Sequence, residues 1–244
     1  VPLRGKAVVV SGGAKGIGRY IALGCAERGA NVAVCDVDAD ALRNVAGELA
    51  RFGTKTLAAK ADVRNEEAVR EFMAQAAREL GTIDYLVNNA AIVPHFMWGG
   101  PRWPVVRDMD FAFWERVFAT NLHGTFLCSK HAIPYMERQR SGHIVNLHGG
   151  GPTTPPGSMA YAITKEAGVV MARYLAEEVR SSNICVLSIS PGAAIACEWA
   201  PDDARKRLPG PEYAGERFFI AIDAPMELSG HLVDLKDGAL VPIG

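Results

Sequence analysis

Short runs of β-branched and apolar residues alternate along this chain with longer stretches in which apolar residues recur every three to four positions. Lys6–Ser11 (KAVVVS) reads as a buried strand, and Gly16–Arg28 as a helix with Ile17, Ile21, Ala22 and Cys25 on one face. Asn31–Cys35 reads as a second strand, and Asp38–Arg51 as a second helix opened by an acidic cap. Further strands are expected at Thr56–Lys60, Ile83–Val87, His143–Leu147, Ile184–Ser190 and His231–Leu235. Helices are expected at Glu66–Leu80, around Phe111–Met136, across Tyr161 and Lys165, and near Glu212–Asp223. Such alternation argues the α/β class, a doubly wound parallel sheet with helices on both faces. No repeat, low-complexity tract or linker breaks the pattern, so residues 1–244 are expected to form one domain.

Two stretches interrupt the alternation. Pro94–Asp110, within an expected loop at 92–110, carries three prolines, two tryptophans and a Gly-Gly. Pro191–Pro211, around a second loop at 193–211, carries Pro191, Pro201, Pro209 and Pro211, which oppose a long helix. Both follow strand C-termini, where open parallel sheets bind ligands.

Composition narrows the classes. The apolar fraction of 49% suits a large core, and a formal net charge of −1 gives no case for nucleic acid or an anionic membrane. No membrane-length apolar run and no signal peptide is evident. Five cysteines without a Cys-x-x-Cys pair read as reduced core thiols of a cytoplasmic protein, with no metal site expected.

The candidate chemistry lies at two places. Ser-Gly-Gly-Ala-Lys-Gly-Ile-Gly, residues 11–18, joins the first strand to the first helix with glycines at Gly12, Gly16 and Gly18. This is a variant of the dinucleotide fingerprint, in which glycine allows a tight turn and leaves helix N-terminal N–H groups for a pyrophosphate. Asp36, ending the second strand, can accept from ribose hydroxyls and repel a 2′-phosphate, which favours NAD(H). Lys15 pulls mildly the other way, and its like-charge-free pairing with a phosphate is weighed below Asp36. Farther on, Tyr161 and Lys165 share a helix face at i and i+4. An ammonium beside a phenol lowers a pKa that starts near ~10, making Tyr161 a candidate proton acceptor. Taken alone, such a pair more often means an aromatic stem beside a solvated amine.

Together these residues resemble the short-chain dehydrogenase/reductase family, over nearly the whole chain. Gly12, Gly16 and Gly18 match its glycine motif, with Ile17 between the last two. Asp36-Val37 stands at the ribose position and Asp62-Val63 at the acidic pair beside adenine. Asn88-Asn89-Ala90-Ala91 is similar to its Asn-Asn-Ala-Gly strand end, Pro191-Gly192 to its cofactor loop, and Ser229-Gly230 through Asp237-Gly238 to its C-terminal strand region. Asn121, Tyr161 and Lys165 match catalytic residues. The resemblance implies a Rossmann-type, seven-stranded parallel sheet, a homodimer or homotetramer, and hydride transfer between NAD and an alcohol or ketone. It gives Tyr161 the proton exchange, Lys165 the nicotinamide ribose, and Asn121 the positioning of Lys165 and a relay water.

The chain also departs from that family. Its catalytic serine has no counterpart in Ile-Val-Asn-Leu-His-Gly-Gly-Gly-Pro, residues 144–152. The family interval back from Tyr161 gives His148, and the strand end gives Gly149. Loss of one such donor typically costs about 10²–10³ in kcat. His148, Thr153 or Thr154 could supply it, the substrate could bring its own polarisation, or His148 could simply pack at a strand end. Ala196 replaces the Thr usual after Pro-Gly, and the stretch from Pro191 to Gly230 is shorter than usual, so that a reduced lid is expected. Phe96, Met97, Trp98 and Trp103 are expected at the rim, as substrate wall or subunit contact. The expectation is an NAD(H)-dependent oxidoreductase for a secondary alcohol or ketone with an apolar or cyclic body. A non-redox dehydratase or isomerase, or a catalytically impaired NAD-binding subunit, are the alternatives.

Overall fold

Eight strands among the described residues, 3–99, 102–149 and 155–243, form one sheet in a computed structural model of the chain. They are β1 (Ala7–Ser11), β2 (Asn31–Asp36), β3 (Thr56–Lys60), β4 (Tyr85–Asn88), β5 (Gly142–Leu147), β6 (Ile184–Ile189), β7 (Leu232–Lys236) and β8 (Ala239–Pro242). The order across the sheet is β3-β2-β1-β4-β5-β6-β7-β8. The first seven run parallel, and β8 returns antiparallel on β7. The expected seven-stranded sheet is therefore present with one added strand. That strand follows a two-residue turn at Asp237 and Gly238, both with positive φ (50° and 79°), the geometry that twists a hairpin correctly.

Helices α1 (Gly16–Glu27), α2 (Ala39–Leu49), α3 (Glu66–Leu80), α4 (Phe111–Phe118), α5 (Gly124–Gln139), α6 (Met159–Val179), α7 (Asp202–Arg207) and α8 (Pro211–Ala221) connect the strands. Period-two alternation within β1 sorts its side chains between two cores. Val8 and Val10 join Ile21, Val45, Leu49 and Phe218 from α1, α2 and α8, with Ile222 just past α8, on one face. Ala7 and Val9 join Phe72, Met73, Met136 and Ala172 from α3, α5 and α6 on the other. All five residues of β1 are buried, as a strand covered on both faces must be. The five cysteines are buried and unpaired: Cys25 and Cys185 in the first core, Cys35 and Cys128 in the second.

Two expectations about elements are corrected. The helix expected over Phe111–Met136 is interrupted by a π-helical turn at Ala119–His123, between α4 and α5. The proline-rich stretch after β6 is not wholly irregular, because α7 fits between Pro201 and Pro209. A proline at a helix's start or just past its end costs no hydrogen bond. Asp202 and Asp203 in its first turn and Arg205, Lys206 and Arg207 in its last suit the helix dipole. The chain also reverses direction across the sheet between β3 and β4, placing β1 and β4 side by side. That switch point opens the crevice in which the candidate residues collect.

Candidate functional site

A cleft of about 1430 Å³ runs along the C-terminal ends of the strands, from Asp36, Asp62 and Val63 past Gly12 and Gly16 to Tyr161 and His148. At one end the Gly-rich loop packs too tightly for side chains. Gly12 (φ 63°) and Gly16 (φ 55°) adopt a conformation that favours glycine, and a Cβ on Gly12 would stand 2.8 Å from Ala90 Cα. A Cβ on Gly18 would collide with the Gly12 carbonyl. Asn89 fixes the loop from below, its Nδ2 donating to the carbonyls of Ser11 (3.1 Å) and Gly12 (2.8 Å). Ser11 Oγ accepts from the N–H groups of Asn89 and Ala90. Asn89 and Ala90 thus shape the loop as well as line the cleft.

Asp36 Oδ1 accepts from Val37 N–H at 2.8 Å and Oδ2 from Ala14 N–H at 3.3 Å, and the residue faces the cleft beside exposed Val37. Asp38 caps α2 through the N–H groups of Asp40 and Ala41 and also holds Lys15 at 2.9 Å. The Lys15 ammonium is thereby engaged, its pKa raised chiefly by that Asp38 contact. Asp62 is clasped by Arg64, which keeps its carboxyl below the usual range. Ile17, Pro191 and Gly192 line the same cleft.

At the other end, Lys165 Nζ lies 5.7 Å from the centroid of the Tyr161 ring and donates to the Leu147 carbonyl at 2.7 Å. Burial pushes the Tyr161 phenol up and pulls Lys165 down to about 8. This corrects the expectation that the lysine lowers the tyrosine. Desolvation disfavours the charged form of each group and outweighs their mutual attraction at this separation. Asn121, in the π-helical turn, accepts from Ile92 N–H at 2.7 Å and donates to the Ile92 carbonyl and to Thr164 Oγ1. It ties the chain after β4 to the helix carrying Tyr161 and Lys165. Its bonds are thus to backbone and Thr164.

His148 continues the β5–β6 ladder, its N–H bonding the Ile189 carbonyl at 2.9 Å. Its Nε2 is 3.6 Å from Glu166 Oε1, and burial lowers its pKa. Asn88 Oδ1, Asn146 Nδ2, His148 Nδ1 and Ser188 Oγ are buried without a hydrogen-bond partner among the described residues. All four line a polar cavity of about 10 Å³, together with Asn121 and Lys165, of a size for one water. A Cβ on Gly149 would collide with the Tyr161 hydroxyl, and His148 lines the same cleft as both. Thr153 and Thr154 lie outside the described residues.

The two loops meet over the cleft, and the 193–211 segment forms a packed cover there. Trp98 Nε1 donates to the Ile195 carbonyl at 2.9 Å, and Trp98 joins Ala196, Cys197, Ala200 and Ala204 in a small third core. Met97 and Trp98 line the cleft, whereas Trp103 packs edge-on against Phe113. The Phe96 side chain lies outside the described ones. Sequence reasoning missed Glu198, which accepts from Gly16 N–H at 3.0 Å. No local motif marks it, because the pairing spans most of the chain. Arg64 was equally missed, although an Asp-x-Arg triplet is a visible signal for such a clasp.

Comparison with known proteins bears on this arrangement. Residues 6–200 match the family model described as short chain dehydrogenase. A 3-oxoacyl-acyl-carrier-protein reductase of Staphylococcus epidermidis is 34% identical over 193 residues, 78% of this chain and 76% of that protein. The cis-4-hydroxycyclohexanecarboxylate dehydrogenase of Sinomonas cyclohexanicum is 34% identical over 246 residues, 96% of each chain. A solved short-chain dehydrogenase/reductase variant from Serratia marcescens superposes with a TM-score of 0.82 at 26% identity, covering 98% of this chain and 99% of its own.

Proposed function

Because the chain belongs to the short-chain dehydrogenase family, we propose that it is an NAD(H)-dependent oxidoreductase interconverting a secondary alcohol and a ketone. The observation that carries this reading is the single cleft joining Asp36 and the Gly-rich loop to Tyr161. The loop fits a dinucleotide, since Gly12 and Gly16 take positive φ and Gly18 packs against the Gly12 carbonyl, a tight turn that leaves helix N-terminal N–H groups for a diphosphate. Asp36 faces the ribose end, where a carboxylate suits ribose hydroxyls and opposes a 2′-phosphate, and Lys15 is engaged by Asp38. The bound dinucleotide supplies the hydride donor or acceptor.

Tyr161 exchanges a proton with the substrate oxygen, and Lys165, titrating at about 8, takes up or releases protons beside it. Asn121 acts as a positioning residue by holding the chain after β4 against α6. The donor role of the missing serine falls to His148, which lines the same cleft as Tyr161. Ile92, Val93, Met97 and Trp98 form an apolar wall, and Arg116 adds a cation to the same cleft. An alicyclic secondary alcohol bearing a carboxylate suits both features, and the full-length relative from Sinomonas cyclohexanicum is named for such a compound. Five buried, unpaired thiols suit a reducing, cytoplasmic setting. No helix among the described residues is long and apolar enough to cross a membrane.

One observation favours a second reading, an NAD-binding subunit without turnover or with non-redox chemistry: neither position 148 nor 149 carries a hydroxyl. Fluorescence titration with NADH and NADPH, followed by a panel of cyclic ketones and alcohols with and without a carboxylate, separates the two. Preferential NADH binding with turnover is expected. Tight NADH binding with no turnover across the panel would give the second reading precedence.

A further inference from the structure

The phosphate-binding end of the cleft is engaged by the chain itself. The N-terminus of α1 leaves its first N–H groups without intrahelical partners. Lys15 at the cap position supplies no side-chain bond, and the first turn holds no acidic residue. The partner comes instead from Glu198, whose Oε1 accepts from Gly16 N–H at 3.0 Å. Beside it, Cys197 Sγ and Trp199 Cη2 each stand 2.9 Å from where a Gly16 Cβ would be. Trp199 also lies under the Lys15 ammonium, at 5.5 Å, and edge-on to Trp98, at 6.0 Å.

This segment is not a loose loop. Ala196 N–H bonds the Pro209 carbonyl at 2.8 Å, and Arg205 Nη1 donates to the Glu198 carbonyl at 2.9 Å. With the Trp98–Ile195 bond and the third core, these contacts make the 195–208 stretch a folded cover presenting one carboxylate to the helix start.

We propose that Glu198 is an internal competitor for the diphosphate of the cofactor, and so a residue that determines cofactor affinity. The inference rests on the dinucleotide reading above. A carboxylate and a diphosphate cannot share the Gly16 N–H, because both are anionic acceptors seeking the same donor. Cofactor entry therefore requires Glu198 to leave and the cover to lift.

The test measures NADH affinity by fluorescence, and stabilisation by inorganic pyrophosphate through thermal shift, in the wild type, Glu198→Ala and Glu198→Gln. Glu198→Ala should bind NADH roughly tenfold more tightly, since a charge-assisted hydrogen bond no longer has to be broken. Glu198→Gln should show a smaller gain, because it keeps a neutral acceptor. Pyrophosphate should stabilise Glu198→Ala at concentrations that leave the wild type unmoved. Trp199→Leu, which loosens the cover by a different contact, should shift NADH affinity the same way and covers the case in which the alanine variant does not fold. An NADH affinity unchanged within about twofold, or weakened, in Glu198→Ala overturns the proposal while leaving the cofactor reading intact. Pyrophosphate discrimination with no NADH binding by any variant keeps Glu198 as the anion competitor and removes the cofactor reading. Response to neither ligand by any variant removes both.

Discussion

Lys165 stands partly buried with its ammonium on one carbonyl, and that single bond does not replace the water it has lost. Its folded pKa, about 8, lies below an unfolded value near ~10.4, so the folded state prefers the neutral amine. As pH falls from about 10 to about 8 the unfolded chain takes up the proton first, and stability declines by at most about 3 kcal/mol. Below pH 8 the cost is fully present. Lys165→Met should therefore raise the melting temperature over wild type, and by more at pH 7 than at pH 9.5. A difference in melting temperature that does not change with pH would remove desolvation as the cause. At this scale the sequence was legible where residue type alone decides: Gly12, Gly16, Asp36 and Tyr161 line one cleft, and Lys165 stands beside Tyr161. It was not legible where direction decides. Spacing could not separate His148 from Gly149, because the interval back from Tyr161 and the strand end differ by one residue and side-chain direction along a strand alternates with each residue. The phenol's raised pKa was hidden for a similar reason, since burial is a property of the packed fold.

Helix α1 packs against α8 through Gly24, where a Cβ would collide with the Phe219 ring. Gly47 sits in α2 with open space around its Cβ direction. The same substitution should therefore have opposite effects in the two helices. Gly47→Ala should stabilise by about 0.5–1 kcal/mol through helix propensity and reduced unfolded-state entropy. Gly24→Ala gains the same propensity but overpacks a closed interface, at a cost of about 1–3 kcal/mol, so it should destabilise on balance. Thermal denaturation of both variants checks the contrast, which corresponds to shifts of a few degrees in opposite directions at this chain length. Element positions were largely readable because hydrophobic period and caps are local: Glu66–Leu80 and Thr56–Lys60 coincide with their elements. β8 escaped notice although Asp237-Gly238 between apolar residues is a strong hairpin signal. Its strand is only four residues long and ends in Pro242, which reads as a stop.

On the outer surface, α6 exposes Ile163, Val170 and Tyr174 at helical spacing, along with Met159 at its start. A face of that kind on the helix carrying Tyr161 is where the expected homo-oligomer would pair. Val170→Glu should lower the mass measured by sedimentation while NADH affinity holds. A wild type that sediments as a monomer would count against that assembly. The α/β architecture itself was legible as an order of elements. What covers what was not: the Glu198–Gly16 contact and the third core depend on residues far apart in sequence, for which one chain carries no local signal.

The cysteines divide among the three cores, with Cys197 alone in the cover. Burial raises every one of these thiols, Cys197 to about 12, so none is a ready nucleophile while the chain is closed. Sulfur chemistry on this protein is thus governed by opening events and not by surface composition. Cys25, Cys35, Cys128 and Cys185 sit in the two cores against the sheet, whereas Cys197 sits in the small core of the cover, which the proposed cofactor entry lifts. Oxidative adducts should accumulate there first, and an adduct at Cys197, lodged against Gly16, would wedge the cover away from the helix start.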